Sequence, residues 1–133
     1  FHPKLLKIRL LEQGKKTPVF ILNPETEKYF ELEKKDVERI IKRKKGALLK
    51  FHSSQNIGVL VSTKPGQHRL KDALRFKRKY DDKNIYIFLC DTLDFNELEN
   101  FPYVDCFVNT MCDRIGYDDT IRTRKPIINI DDL

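Results

Sequence analysis

The sequence predicts an α/β protein: a small, mainly parallel four-stranded sheet with flanking helices, preceded by the tail of a second, similar α/β domain. Three observations carry that prediction. Short, nearly continuous apolar runs bounded by turn residues recur along the chain, as in "IGVLVS" at 57–62 and "IYIFLC" at 85–90. Runs of this kind suit strands covered on both faces, the strands of parallel sheets. Between them lie segments with helical spacing of apolar residues, such as "QHRLKDALRFKRKY" at 67–80. Strand alternating with helix through short connections is the pattern of a parallel sheet, with crossovers expected to be right-handed. A chain of 133 residues has room for one modest core and part of another.

The elements come in order. Residues 4–13, "KLLKIRLLEQ", place Leu5, Ile8 and Leu11 at helical spacing, an amphipathic helix, and Gly14 stands where a C′ residue would end it. "PVFILNP" at 18–24 reads as a buried, parallel strand and "KYFEL" at 28–32 as an edge strand. Val37, Ile40, Ile41, Leu48 and Phe51 line one side of a long basic helix in which Gly46 is a weak point. Residues 1–55 therefore read as the C-terminal part of a preceding domain. A new pattern starts at 56: strand 57–62, the turn "TKPG", and a helix over 67–80 with Leu70, Ala73 and Leu74 inward. Strand 85–90 comes next, then a short helix over 94–101 with Asp94 as N-cap and Glu97 completing a capping box. Strands at 104–109 and 126–130 finish a complete C-terminal domain, residues 56–133. The opening Phe1-His2-Pro3, without an initiator methionine or signal-peptide pattern, reads as a piece of a longer chain.

Composition narrows the function classes. Hydrophobic content of 40% and charged content of 35% describe a folded, water-soluble chain. No apolar run approaches the roughly 20 residues a bilayer span needs; with no secretory signal, three cysteines that cannot all pair suit a reducing compartment, so the expected location is cytoplasmic. Three cysteines, Cys90, Cys106 and Cys112, cannot all pair with one another and lack the close spacing of a zinc knuckle. The net charge of +6 is uneven, with eight Lys/Arg against two acids in 34–50 and a second basic stretch at 69–79. Such faces are either solvated helix exteriors or attractors for RNA, a ribosome-associated partner or an acidic protein surface. Few aromatics interleave the lysines, which argues against base stacking.

Ligands of open parallel sheets bind outside the carboxyl ends of the strands. Three predicted strand ends carry polar or reactive groups: 62–67, 90–92 and 109–114. In "TKPGQ", Gly66 permits close backbone approach, Lys64 adds charge, Gln67 adds an amide, and the N–H groups opening the next helix favour an anion. The same residues also make an ordinary strand-to-helix turn, and they match neither a Walker loop nor a dinucleotide fingerprint. Cys112 stands in a polar loop, whereas Cys90 and Cys106 lie among apolar neighbours as structural cysteines do. Three readings of Cys112 stay open: an unremarkable thiol, a metal or cluster ligand, and a nucleophile with His68 as its base. Arg114 is placed to lower the thiol pKa and to bind a carboxylate. Asp118 and Asp119 read as helix caps in preference to a metal or acid–base pair.

"GVLVSTKPGQHRL", "VDCFVNTMCDRIGYDD" and the closing "KPIINI" together resemble the C-terminal third of the archaeal-type diphthamide-synthesis enzymes, the 2-(3-amino-3-carboxypropyl)histidine synthases. The upstream "FHP" and "TPVFILNPETEKYFEL" resemble the end of that family's middle domain, so the resemblance runs through the whole chain in order. It implies an unconventional radical S-adenosylmethionine enzyme whose 4Fe–4S cluster is held by three cysteines, one from each of three similar α/β domains. Such an enzyme cuts the methionine Cγ–S bond and transfers the 3-amino-3-carboxypropyl group to C2 of a histidine of translation elongation factor 2. Residue by residue, the resemblance implies Cys112 as cluster ligand, with Thr63, Lys64, Gly66, Gln67, Asn109 and Arg114 as the wall contacting the methionyl end of S-adenosylmethionine. It further implies a homodimeric full-length protein and an external electron donor; no membrane partner is expected from the apolar runs, and direct nucleic-acid binding is disfavoured. The segments that carry the family's other two cluster cysteines are absent from this sequence, so the piece by itself is expected to be inactive. The alternative is a basic RNA- or ribosome-binding α/β module without catalysis.

Overall fold

The computed structural model describes residues 2–117 and 119–133. They fall into two compact units, Phe1–Arg43 and Lys44–Leu133. No helix among the described residues is long and apolar enough to cross a membrane.

The first unit opens with α1 (His2–Glu12). Gly14, at φ +71°, ends it in the expected place: its N–H reaches the Leu11 carbonyl at 3.0 Å and the Lys15 N–H reaches that of Leu10 at 2.9 Å. That pair of bonds is a Schellman cap. The apolar stripe of α1 is narrow, with Ile8 buried, Leu5 and Leu11 half-buried and Leu6 exposed. Strands β1 (Phe20–Asn23) and β2 (Lys28–Glu31) then pair antiparallel, from Phe20↔Glu31 to Asn23↔Lys28. This corrects the buried parallel strand expected at 18–24. Residues 24–27 are far too short for a crossover, which takes about a dozen residues or more, so the two strands can only turn back on each other. The Asn23 side chain starts that turn by accepting the Glu25 N–H at 3.0 Å. The hairpin is exposed on both strands, with Phe20 at 55%, Leu22 at 64% and Tyr29 at 72%. Helix α2 (Lys34–Ser53) begins in this unit, where Val37 and Ile40 are its buried residues.

The second unit is a sheet of β3 (Asn56–Ser62), β4 (Asn84–Cys90), β5 (Cys106–Asn109) and β6 (Ile127–Asn129). Its order is β4-β3-β5-β6 and every pair is parallel. One face packs Ile57, Val59, Val61, Val108 and Ile128 with Ala47 and Phe51 of α2 and with α3 (Leu70–Lys79). The other face packs Leu60, Phe107 and Ile127 with Phe95, Leu98 and Val104 of the β4–β5 connection and with Ile115 of α4 (Arg114–Tyr117). The predicted four-stranded parallel sheet with flanking helices is therefore what the chain forms. "IYIFLC" is nevertheless an edge strand, because β4 has β3 on one side only, and Tyr86 and Leu89 are 39% and 59% exposed.

Two local expectations change with the frame of the helices. Helix α3 starts at Leu70, and its inward stripe is Leu70, Ala73, Phe76 and Tyr80, which leaves Leu74 44% exposed at the edge. The segment 94–101 is a 3₁₀ turn over Glu97–Asn100, without a capping box. Asp94 accepts the Asn96 N–H on its side chain at 2.9 Å and the Glu97 N–H on its carbonyl at 3.2 Å. A short aspartate side chain folding back on its own backbone competes with helix in this way.

Phe51 is the centre of the first face. It is fully buried and meets the rings of Phe76 and Tyr80 at 5.8 and 5.2 Å. The end of α2 that carries it is held by Lys83, whose Nζ donates to the Ser54 carbonyl at 2.6 Å and that of His52 at 3.3 Å. A cation at a helix C-terminus satisfies carbonyls the helix leaves open. Phe51→Ala should lower the unfolding free energy by about 3–5 kcal/mol, whereas Leu74→Ala should change it by under about 0.5 kcal/mol. Urea unfolding of the two variants measures both, and equal losses would contradict this inward stripe.

Candidate functional site

The strand order decides where a site can form. From β3 the chain runs through α3 on one face to β4, and then returns to the other side of β3, where β5 leads into α4 on the opposite face. The connections after β3 and β5 thus diverge, and the crevice they leave at the carboxyl ends is the usual ligand position of such sheets. Thr110 anchors one lip, with its N–H and Oγ1 both donating to the Leu60 carbonyl at 3.1 and 2.8 Å. Across β3, the Thr63 N–H donates to the Cys90 carbonyl at 3.0 Å. The three polar strand ends picked out in the sequence therefore lie side by side.

Cys112 is exposed in the loop after β5. The loop itself is held from beneath by two buried amides. Asn109 and Asn129, both nearly inaccessible, are register partners on β5 and β6. Asn109 Nδ2 donates to Asn129 Oδ1 at 2.7 Å and to the Cys112 carbonyl at 2.9 Å, and its Oδ1 accepts the Met111 N–H at 3.0 Å. Asn129 Nδ2 donates to the Asp113 carbonyl at 2.9 Å. The same two carbonyls accept the N–H groups of Ile115 and Gly116, at 3.0 and 3.2 Å. Gly116 is the close approach this requires: a Cβ there would lie 2.3 Å from Asn129 Oδ1.

The turn after β3 differs from the expected anion cradle. Lys64-Pro65-Gly66-Gln67 is a type II β-turn, with Pro65 at its second position, Gly66 at φ +79°, and the Gln67 N–H on the Lys64 carbonyl at 3.2 Å. Nothing lies within 4 Å of where a Gly66 Cβ would be, so the backbone angle, and not a close approach, calls for glycine. Helix α3 begins only at Leu70, beyond the turn. Its first turn faces the protein's own acids: Arg69 bonds Asp131 through Nη1 and Nη2 at 2.7 and 2.8 Å and Asp72 through Nε at 2.8 Å. Thr63, Lys64, Gly66 and Gln67 are all exposed. Lys64 Nζ reaches Thr92 Oγ1 at 3.4 Å, and His68 Nδ1 donates to the Ser62 carbonyl at 2.8 Å.

Arg114 is exposed, with Nε 3.8 Å from the Asp119 carboxylate. Asp119 is the first residue of the 3₁₀ turn Asp119–Arg122; Asp118 lies outside the described residues. Of the basic stretches, Lys44 is ion-paired with Asp132 at 2.8 Å and Arg69 with Asp72 and Asp131, while most of the remaining cations are exposed.

The three thiols differ sharply. Cys106 is fully buried, and burial pushes its pKa up to about 12. Burial, with Asp91 and Glu97, also raises that of half-buried Cys90, whose Sγ lies 3.8 Å from Met111 Sδ. Cys112 is the exposed one, and among the described residues its thiol has no hydrogen-bond partner. No three His, Cys, Asp or Glu side chains among the described residues converge to hold a metal ion. The site offers one accessible thiol on a firmly held loop, with Arg114 two residues further on and Lys64 exposed on the turn after β3. Sequence reasoning missed Asn129 and Gly116. The signal was the matching "VN" and "IN" at the ends of β5 and β6, two asparagines at equivalent strand ends.

The whole chain, residues 1–133, matches the family described as "Putative diphthamide synthesis protein". It is 30% identical over 131 residues to a 2-(3-amino-3-carboxypropyl)histidine synthase of Methanocaldococcus jannaschii, covering 96% of this chain and 36% of the relative. A second synthase, of Pyrococcus horikoshii, is 28% identical over 130 residues, with 96% and 35% covered. The chain thus spans about a third of the length of these relatives. A crystal structure of Dph2 from Pyrococcus horikoshii with a 4Fe–4S cluster superposes with a TM-score of 0.73 at 25% identity, over 89% of this chain and 33% of that one.

The burial of the thiols sets two expected outcomes. In the folded protein, iodoacetamide should modify Cys112 first, Cys90 more slowly and Cys106 only on unfolding; mass spectrometry of the labelled peptides reads the order. Cys106 ionises near 9.0 when unfolded and near 12 in the fold. A raised pKa stabilises fully below the unfolded value, and that contribution is lost as pH rises toward the folded one. Cys106→Ala should therefore lose stability with pH less steeply than the parent between those limits, by roughly 1.4 kcal/mol per pH unit, in denaturant titrations at stepped pH.

Proposed function

The chain belongs to the diphthamide synthesis protein family, and we propose that it supplies one cysteine ligand, Cys112, to the 4Fe–4S cluster of a 2-(3-amino-3-carboxypropyl)histidine synthase. The reaction proposed for the longer protein is transfer of the 3-amino-3-carboxypropyl group of S-adenosylmethionine to a histidine of translation elongation factor 2. The observation that carries the reading is the place of Cys112: an exposed thiol beside the crevice between β3 and β5, on a loop bonded at both Cys112 and Asp113.

The donor set fits one ligand of a cluster. Thiolates are the usual ligands of such clusters, and an exposed thiol on a fixed loop suits the role, whereas buried Cys106 does not. These residues supply one thiolate, so the other two of a three-cysteine site come from the remaining two thirds of the protein, and residues 1–133 alone are inactive in this reading. When bound, such a cluster supplies an electron and an iron position open to the amino-acid end of the substrate.

The residues of this chain then have separable tasks. Arg114, exposed two positions from the thiol, is suited to the substrate carboxylate. Thr63, Lys64 and Gln67 present polar groups from the turn at the neighbouring strand end, with Gly66 setting its shape. Asn109 acts from below, through the carbonyl of Cys112. In this reading residues 56–133 are the C-terminal domain and residues 1–55 the end of the middle one. The longer protein is a cytoplasmic homodimer that takes its electron from an external donor and has elongation factor 2 as its protein substrate.

The longer parent protein, reconstituted anaerobically with iron and sulfide, should lose most of its visible cluster absorption on Cys112→Ala, while Cys90→Ala keeps it. Full cluster absorption in the Cys112 variant would rule the assignment out.

A further inference from the structure

Around the exposed thiol, two of the buried polar contacts belong to Asn129, a residue with no part in the proposed chemistry. Its side chain is 2% exposed and lies at the carboxyl end of the short strand β6. A polar amide so deep is tolerated only when its hydrogen bonds are made. Those bonds go to Asn109 and to the Asp113 carbonyl, on either side of Cys112. Two residues further on, Asp131 holds Arg69, which lies just past the turn after β3. Next to it, Asp132 accepts from the Tyr117 hydroxyl at 2.7 Å, at the end of α4. The segment 129–132 thus ties down both loops that flank the crevice.

We propose that Asn129 is a positioning residue for Cys112: with Gly116 it locks the 110–116 segment so that the thiol is presented at one fixed place at the crevice. This deepens the cluster-ligand reading and rests on it for its functional consequence. The physical claim concerns the protein's own loop. Asn109 Nδ2 is shared between Asn129 and the Cys112 carbonyl. Removing the Asn129 amide therefore takes from Asn109 one of the bonds that fix its side chain, and takes from the Asp113 carbonyl the side-chain donor that ties it to β6. Gly116 supplies the converse requirement, because any Cβ would occupy the space of the Asn129 amide. Alanine is a better helix former than glycine, so if α4 mattered only as a helix, Gly116→Ala would tighten the segment. The lock gives the opposite sign.

The test uses Asn129→Ala and Gly116→Ala separately, each read in two ways. In this chain, native-state exchange of the backbone amides at positions 115 and 116 should speed up at least tenfold in both variants. Val59 and Val108 in the central strands should change less than twofold. In the cluster-loaded longer protein, transfer of iron to a chelator should speed up at least fivefold in both variants. Unchanged exchange at 115 and 116, or an equal rise throughout the sheet, would overturn the lock. Faster exchange with unaltered iron release would overturn the positioning role and leave only a structural tie. Failure of the cluster reading shows separately, as a cluster that survives Cys112→Ala. If one variant does not fold, the other, which perturbs the same contact from the opposite side, gives the answer.

Discussion

A single hydrogen bond between two buried amides, Asn109 Nδ2 to Asn129 Oδ1, organises the functional end of this molecule. It joins β5 to β6 where the ladder stops, and it orients both side chains so that their remaining groups meet the loop backbone. A buried amide bond contributes about 1 kcal/mol net, but an orphaned one costs about 1–3 kcal/mol. The pair is therefore held mainly by what its loss would leave unsatisfied. The backbone at Met111, Cys112 and Asp113 is bonded directly to that pair, on the loop that presents the exposed Cys112.

The sheet order supplies the second constraint. Because β3 and β5 are neighbours whose succeeding helices pack on opposite faces, a gap at their carboxyl ends is unavoidable. The chain places its one exposed thiol at that gap and buries or half-buries the other two. The turn after β3 meets the same gap with a rigid Pro-Gly type II turn, and the start of α3 is already matched by Asp72 and Asp131. Lys64 and Arg114 are exposed on the loops after β3 and β5.

Continuous apolar runs made the centre of the sheet legible in the sequence. The central strands β3 and β5, the buried edge strand β6 and the place of the Cys112 loop can all be read from "IGVLVS", "VDCFVN" and "PIINI" with the rule about strand ends. The failures share a cause, since local pattern says nothing of neighbours. "IYIFLC" is as apolar as a buried strand, yet only position in the sheet decides that it lies at an edge. "PVFILNP" invited a parallel pairing that the four residues before β2 forbid, and attention to connection length would have corrected it. Leu74 fits the same helical stripe as Leu70 and Ala73 in the sequence, but the sheet lies under Leu70, Ala73 and Phe76 and leaves it at the edge. Asn129 was invisible because its partner is 20 residues away and the pairing exists only across β5 and β6.

The chain spans about a third of relatives that are synthases, and in the proposed reading the thiolates that would join Cys112 come from elsewhere in the longer protein. The direct test is anomalous diffraction at the iron edge from crystals of the cluster-loaded longer protein. The account predicts an iron peak within bonding distance of Cys112 Sγ, with the loop still bridged by Asn109 and Asn129. Iron bound elsewhere, with Cys112 Sγ free in solvent, would contradict it.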